Sequence, residues 1–459
     1  MTGGTVVPTE FDPAIAEGFV RQQAYRASLP DDPAARRAAN SAAAAQLARE
    51  LAAANPGYAR LWDAAATVGA APPVLDKAFL SAHFDAFADG LPVTAESAAA
   101  FAAGQFRIGS RFDPDHLVFT SSGSTGSPLP VVYSLSDFGR SVEAFAQRAV
   151  RATRPDARSL LYIGLLDRHN GGNAWMYYLG GALPTVLADV FAPAADLLDV
   201  VADLRPDVIL TRPTILLTLG EQASTDRVPL PPAHLLSVGE ALQPEQRSAI
   251  ARHWGRPPHN SYSTVETGPL GYQEDPELDT LTVYDDLQHV ELLDAAGRPI
   301  DRPGVHGRIV VTTLYRSTLP LVRYRIGDVA AWADDALTRL TFPLGRDTQT
   351  LWLRTADGAQ AEMAELVLWT LRVPGLRQYQ VLQTGPAELL VRCEPAADAR
   401  WPVLADAVRA AVAALVARET GLHGIRVDCE CVYRLRPDRA SGKIKRVVPL
   451  AHDREETPL

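Results

Sequence analysis

Four short apolar segments, "SLLYIG" from Ser159, "PTVLAD" from Pro184, "DVILTRP" from Asp207 and "HLLSVGE" from His234, follow one another with helical or irregular connections between them. Strand-sized apolar runs in that order belong to layered α/β construction rather than to a helical bundle or a β-sandwich. The expected fold class is therefore α/β, built around a large multilayer N-terminal domain.

Other stretches attach to this frame. "DDPAARRAANSAAAAQLARELAAANP" is an Ala-rich helix that should stop near Asn55 and Pro56, so the chain begins helically. "HLVFTSSGSTGSPLPVVYS" reads as strand, glycine turn, strand, and the next segment puts Phe138, Val142, Phe145 and Ala149 on one helical face. From about 280 to 343 the pattern is strand-rich, a small β subdomain. After "PLGRDTQ" come a hairpin, a helix with Leu404, Val408, Ala411 and Leu415 on one stripe, and a closing strand. Two domains are expected: residues 1–343, and a small, mobile α+β domain over 344–459.

Composition bounds the partners. With 459 residues, 47% of them apolar, the chain can bury more than one core. The net charge of -10, without a sustained Lys or Arg run, argues against a nucleic-acid backbone or an anionic membrane as partner. The N-terminus lacks the order of a secretory signal and no later window supplies a membrane span, so a cytoplasmic protein is expected. Cys393, Cys429 and Cys431 make neither a disulfide framework nor a four-thiolate site, and Cys429 and Cys431 read as buried fillers on one strand face.

The chemistry gathers in separated motifs. In "TSSGSTGSP", Gly123 and Gly126 allow backbone N–H groups to turn inward, and Ser121, Ser122, Ser124 and Thr125 offer hydroxyls to phosphate oxygens. The stretch has neither the Lys-Ser/Thr of a P-loop nor a GxGxxG pattern, and alone it reads first as an ordinary turn. "NSYSTVETGP" adds Ser261, Tyr262 and Glu266, and "LPLVRYRIGDVA" adds Asp328 after Arg325. An adenosine nucleotide calls for an aromatic platform, a carboxylate on the ribose hydroxyls, donors around the phosphates and an acid for Mg2+. Tyr262, Asp328, the serine-glycine turn and Glu266 meet those needs in that order. Taken singly, Tyr262 reads as core, Glu266 as a cap and Asp328 as a partner of Arg325. "RASGKIKRVVP" supplies Lys443, which reads alone as part of a solvated basic tail.

Together, "SSGSTGSP", "SVGEAL", "YSTVETGP", "LVRYRIGD", "GRD" and "SGKIKR", in this order, resemble the adenylate-forming superfamily of acyl-CoA synthetases and adenylation enzymes, most closely its phenylacetate-CoA ligase-like branch. The resemblance runs from about residue 115 to 448. It implies an AMP-forming ligase that uses ATP and Mg2+ to convert a carboxylic acid into acyl-AMP with pyrophosphate release, often followed by thiol attack. By the same resemblance Ser122, Ser124 and Thr125 hold the phosphates with the local amides, Glu266 binds Mg2+ and Asp328 holds the ribose. Arg346 contacts ribose or phosphate near the hinge, and Lys443 bridges carboxylate and α-phosphate. A homodimer is a family-level expectation only.

Four positions depart from the family pattern. Ser127 stands where a lysine usually ends the glycine loop, Val265 replaces the hydroxyl residue before Glu266, the hinge acid falls on Thr348 unless the alignment slips onto Asp347, and the glycine of the loop beyond falls on Thr355. A β-branched residue fits less readily where backbone must lie close to a pantetheine arm.

The acid's pocket is expected from His169, Asn170, Gly171, Trp175, Arg212, Gly239 and Ser261, with a small aromatic or heteroaromatic carboxylate as the leading substrate. The equal alternative has Trp175 and Tyr177 facing a core. As acceptor, CoA, a carrier protein and a small amine of secondary metabolism all remain open. Two other classes compete: a kinase, which would release ADP, and a catalytically decayed nucleotide-binding or interaction protein.

Overall fold

The structure is a computed structural model that describes residues 5–6, 12–65, 72–104, 107–120, 129–166, 170–294, 296–343, 345–346, 350–364, 367–368, 371–396, 399–436, 444 and 446–450. The chain divides into two compact units, residues 1–326 with 330–343, and residues 327–329 with 344–459.

The first unit begins with three helices, Pro13–Ser28, Pro33–Ala54 and Pro56–Ala64. Each starts with proline, whose missing N–H costs nothing in a first turn, behind a side chain that caps the turn's free amides. Asp12 accepts from Ala14 N at 2.9 Å, and Asp32 from Ala35 N at 2.8 Å. Asn55 serves twice: its N–H closes the second helix on Leu51 O at 2.8 Å, and its Oδ1 accepts from Gly57 N at 3.0 Å to open the third.

The main sheet has nine strands among the described residues. Five run parallel, in the order Thr185–Asp189, Leu160–Gly164, Val208–Thr211, His234–Val238 and His259–Thr264. Successive side chains of a strand point to opposite faces, and here both faces are covered. Leu160, Leu210 and Leu236 enter one core with Phe138, Trp175 and Leu179. Their neighbours Leu161, Ile209 and Leu235 enter another, beneath the helices Ala194–Leu204, Pro213–Asp226 and Pro244–Trp254. A leucine fully buried in this way contributes about 1.5–3 kcal/mol, which is why these strands are almost continuously apolar.

After the last parallel strand the chain reverses through a tight turn into Gly268–Tyr272, antiparallel to it. Beside the sheet, His116–Thr120 and Pro130–Ser134 form a hairpin whose last pair is Thr120 with Pro130. The helix Leu135–Phe145 follows, capped by Ser134 Oγ and widened at Ala146–Val150. Phe138, Val142, Phe145 and Ala149 all enter the core, as their spacing requires. The strand-rich part includes Gln288–Leu293, His306–Thr313 and Tyr324–Ala331.

In the second unit, the antiparallel strands Leu376–Gly385 and Glu388–Pro395 are flanked in parallel by Val447–Val448 and Arg426–Cys431. The helix Trp401–Thr420 packs Leu404, Val408 and Leu415 into their core, with Ala411 half-buried beside it. Cys393 is fully buried and Cys429 partly so, whereas Cys431 is exposed because it ends an edge strand; it is no buried filler.

Candidate active site

The parallel registers decide what can meet in the first unit. Tyr162 lies opposite Leu210, Thr211 opposite Ser237, and Val238 opposite Ser261. The carboxyl ends of these strands therefore emerge at one edge of the sheet, where open α/β sheets bind ligands. Asn170 and Gly171 follow the first of them, Arg212 the second, Gly239 and Glu240 the third, and Glu266 the fourth, within which Tyr262 lies.

Several of these residues have structural duties as well. Asn170 caps the helix Gly171–Leu179 by accepting from Asn173 N at 2.9 Å, and its Nδ2 donates to Leu165 O at 3.1 Å. A Cβ on Gly171 would lie 3.1 Å from the Trp175 ring and 3.4 Å from Val265 Cγ1, so the helix start packs close to the acid-bearing turn. Trp175 is 7% exposed, stacks on Phe138 with centroids 5.3 Å apart, and donates from Nε1 to Ser141 Oγ at 2.7 Å. Its indole thus lies in the aromatic core behind the helix.

Arg212 begins the helix Pro213–Asp226, and its charge counteracts the burial that pushes the Tyr162 phenol up. Gly239 is exposed at φ 80°, a left-handed conformation that favours glycine. Beside it Glu240 Oε2 accepts from Thr214 Oγ1 at 2.8 Å. Glu240 Oε1 and Ser261 Oγ are buried without a partner among the described residues, two polar atoms left for something else to satisfy. Tyr262 is half-buried at a bulge in its strand, packed against an apolar core.

The turn carrying Glu266 is the most tightly held part of this edge. Thr264 Oγ1 accepts from Thr267 N at 3.0 Å and lies 2.9 Å from Thr267 Oγ1. Three successive carbonyls receive buried donors: Val265 O from Tyr133 Oη at 3.0 Å, Glu266 O from Arg316 Nη1 at 2.7 Å, and Thr267 O from Tyr315 Oη at 3.1 Å. Arg316 Nη2 also donates to Val132 O at 2.5 Å, and its guanidinium lies 4.2 Å from the Tyr133 ring centre. Asp137 fixes the next residues by accepting from Ser317 N at 2.8 Å and Thr318 N at 2.9 Å. Burial raises the Tyr133 and Tyr315 phenols, opposed at both by the Arg316 charge, so both stay protonated donors. At Gly268, φ is 80° and a Cβ would come within 2.6 Å of Tyr315 Oη. The Glu266 side chain itself remains partly exposed.

Nothing in the sequence marked Tyr133, Asp137, Tyr315 or Arg316 as part of a site. Tyr133, Tyr315 and Arg316 donate to main-chain carbonyls and Asp137 accepts from main-chain amides, partners that leave no signature in residue types.

In the second unit Asp328 lies opposite Arg346 in an antiparallel ladder, so the two are register neighbours. Arg325, the sequence neighbour offered as a partner for Asp328, pairs with Asp76 at 3.6 Å. Thr355 is 9% exposed in a hairpin turn, where its N–H and Oγ1 both donate to Ala359 O, at 2.8 and 3.0 Å. Ser121, Ser122, Gly123, Ser124, Thr125, Gly126, Ser127, His169, Asp347, Thr348 and Lys443 lie outside the described residues.

Among the described residues no three His, Cys, Asp or Glu side chains gather as a metal cage. A single partly exposed carboxylate suits Mg2+, which keeps waters and is commonly held by one or two carboxylates together with substrate phosphates. No helix of the described residues is long and apolar enough to cross a membrane.

Residues 27–314 match the family described as AMP-binding enzyme. The phenylacetate-coenzyme A ligase of Aromatoleum evansii is 27% identical over 264 residues, covering 54% of this chain and 59% of the relative. The chain thus matches less than two thirds of that relative's length. Among solved structures, 2-hydroxyisobutyryl-CoA ligase in the postadenylation state with R3-HIB-AMP aligns with a TM-score of 0.62 at 19% identity, covering 92% of this chain and 89% of the other. The amide bond synthetase McbA from Marinactinospora thermotolerans aligns with a TM-score of 0.50 at 20% identity, covering 70% and 66%. These two likenesses are of fold.

Proposed function

The chain belongs to the AMP-binding enzyme family, and on that premise we propose that it is an AMP-forming ligase for a small carboxylic acid. One observation carries the reading: Glu266 sits on a turn whose three carbonyls are each held by a buried donor, at the carboxyl edge of a parallel sheet. Groups held this rigidly need no reorganisation when charge moves in the reaction.

The reaction joins a carboxylate oxygen of the acid to the α-phosphorus of ATP, while the bond from that phosphorus to the bridging oxygen breaks and pyrophosphate leaves. Glu266 would hold Mg2+, whose charge would offset that of the phosphate oxygens. Ser122, Ser124 and Thr125, with the amides of Gly123 and Gly126, are assigned to the phosphates, Tyr262 to the adenine, and Asp328 and Arg346 to the ribose side. Lys443 is assigned to the oxygens shared by carboxylate and α-phosphate, and the 344–459 domain to its delivery as a mobile lid.

The acid lies by Asn170, Gly171, Arg212, Gly239 and Ser261, with His169 in the adjoining segment. An aromatic acid is the leading substrate, supported by likeness to a phenylacetate-coenzyme A ligase. The acyl group then passes to CoA. Transfer to a small amine is the second reading, favoured by Thr355 in the turn where the family has glycine and by the fold shared with an amide bond synthetase.

The test is nucleotide product analysis with a panel of aromatic and heteroaromatic acids. Acid-dependent AMP and pyrophosphate are expected; ADP, or ATP binding without acid-dependent pyrophosphate, overturns the reading. CoA, carrier protein and free amines supplied separately then identify the acceptor.

A further inference from the structure

Arg316 is 4% exposed, and its partners among the described residues are carbonyl oxygens and one ring. A buried cation is expensive: desolvation costs several kcal/mol, and a well-packed apolar side chain often serves stability as well. Its placement is therefore informative. Nη1 holds the carbonyl of Glu266, the residue assigned to Mg2+, and Nη2 holds the carbonyl of Val132. Val132 lies in the strand Pro130–Ser134, which leads out of the serine-glycine segment and pairs back onto the strand leading into it.

Resting on the proposed adenylation, we infer that Arg316 is a positioning residue that fixes the strand Pro130–Ser134 relative to the turn bearing Glu266, the proposed Mg2+ carboxylate. The guanidinium is a planar fork whose donors diverge at fixed angles, so two carbonyls bound to its two ends are set in distance as well as direction. A lysine supplies the charge but not the fork. The Tyr133 ring beneath the guanidinium restricts its tilt, and Asp137 holds the two residues that follow it in the chain. Arg316 touches neither nucleotide nor metal in this role; it sets where those that do are placed.

The test compares wild type, Glu266→Gln, Arg316→Met and Arg316→Lys. Three readouts are used: thermal unfolding, calorimetric binding of a non-hydrolysable ATP analogue with and without Mg2+, and kcat and KM for pyrophosphate release. Displacement of a reacting group by an ångström costs on the order of 10²-fold, so Arg316→Met should lose about that much in kcat. It should also lose roughly tenfold of the affinity that Mg2+ adds to analogue binding, with Arg316→Lys intermediate. A merely structural arginine predicts a lower melting temperature while folded Arg316→Met keeps the whole Mg2+ increment, and that result overturns the inference alone. Wild type gaining nothing from Mg2+, or Glu266→Gln keeping the full increment, overturns the parent reading of the site and this one with it. Should Arg316→Met not be recovered folded, Arg316→Gln, which reaches one carbonyl only, decides by the same criterion.

Discussion

The Tyr133 hydroxyl lies 3.0 Å from the carbonyl oxygen of Val265, so the strand leaving the serine-glycine segment and the turn bearing Glu266 share a hydrogen bond. Tyr133→Phe keeps the ring beneath Arg316 and leaves the Val265 carbonyl without this donor. A buried acceptor so exposed costs about 1–3 kcal/mol, to be read as a lower urea midpoint at unchanged slope. No change in midpoint would show that water replaces the hydroxyl.

Asp328 is assigned to the ribose hydroxyls. Hydrogen bonds to a charged group are worth about 1.5–3 kcal/mol, so Asp328→Ala should weaken ATP binding by roughly ten- to a hundredfold in calorimetry. An unchanged dissociation constant removes Asp328 from the nucleotide site.

Lys443 is proposed to act on charge that develops during transfer rather than on bound ATP. Lys443→Ala should lower kcat for pyrophosphate release by about 10²–10³-fold while ATP affinity changes far less. Equal losses in both would make Lys443 an ordinary phosphate contact.

Thr355 closes its hairpin turn through Ala359 O, and through a further short contact from Oγ1 to Asp357. Thr355→Gly removes these side-chain bonds and adds unfolded-chain entropy, a loss of about 1–2 kcal/mol. If the β-branched side chain hinders a pantetheine arm, thiol transfer from preformed acyl-AMP should accelerate in the variant. Fast transfer in wild type, indifferent to the change, removes the steric objection to CoA.

His289, 8% exposed in the strand Gln288–Leu293, is pushed down to about 4 by burial, with the Arg37 and Arg323 charges adding to the effect. The ordinary value is about 6.5, so folding favours the neutral ring. That contribution is complete above pH 6.5 and is lost as pH falls towards 4. Between pH 7.5 and 4.5 it amounts to roughly 2–3 kcal/mol. Urea unfolding at the two pH values should show a difference smaller by that amount in His289→Gln. Equal pH sensitivity in both proteins would place the titration elsewhere.

What could be read from residue order alone was local. The apolar runs starting at Ser159, Asp207 and His234 announce strands because both neighbours in each run must be buried, and Leu160 and Leu161 do enter different cores. Pro56 and Asn55 announce a helix boundary because their geometry and hydrogen bonding act within a few residues. Trp175 was ambiguous for the opposite reason: its position on the helix allows either wall or core, and only Phe138 and Ser141, brought in by another helix, place it in the core. Arg316 carries no signal, since two of its main-chain acceptors, Glu266 O and Val132 O, lie fifty and more residues away in the chain. Cys431 was misread because edge and interior positions of a strand look alike without knowledge of the neighbouring strand.

Because neighbouring leucines in the parallel strands serve opposite cores, losing one residue inside Val208–Thr211 would invert the assignment of every side chain beyond it. The segments past the strand ends carry no such obligation. On the proposed site, new acid preferences can therefore be grafted onto Arg212, Gly239 and their neighbours while the scaffold beneath keeps its inheritance intact.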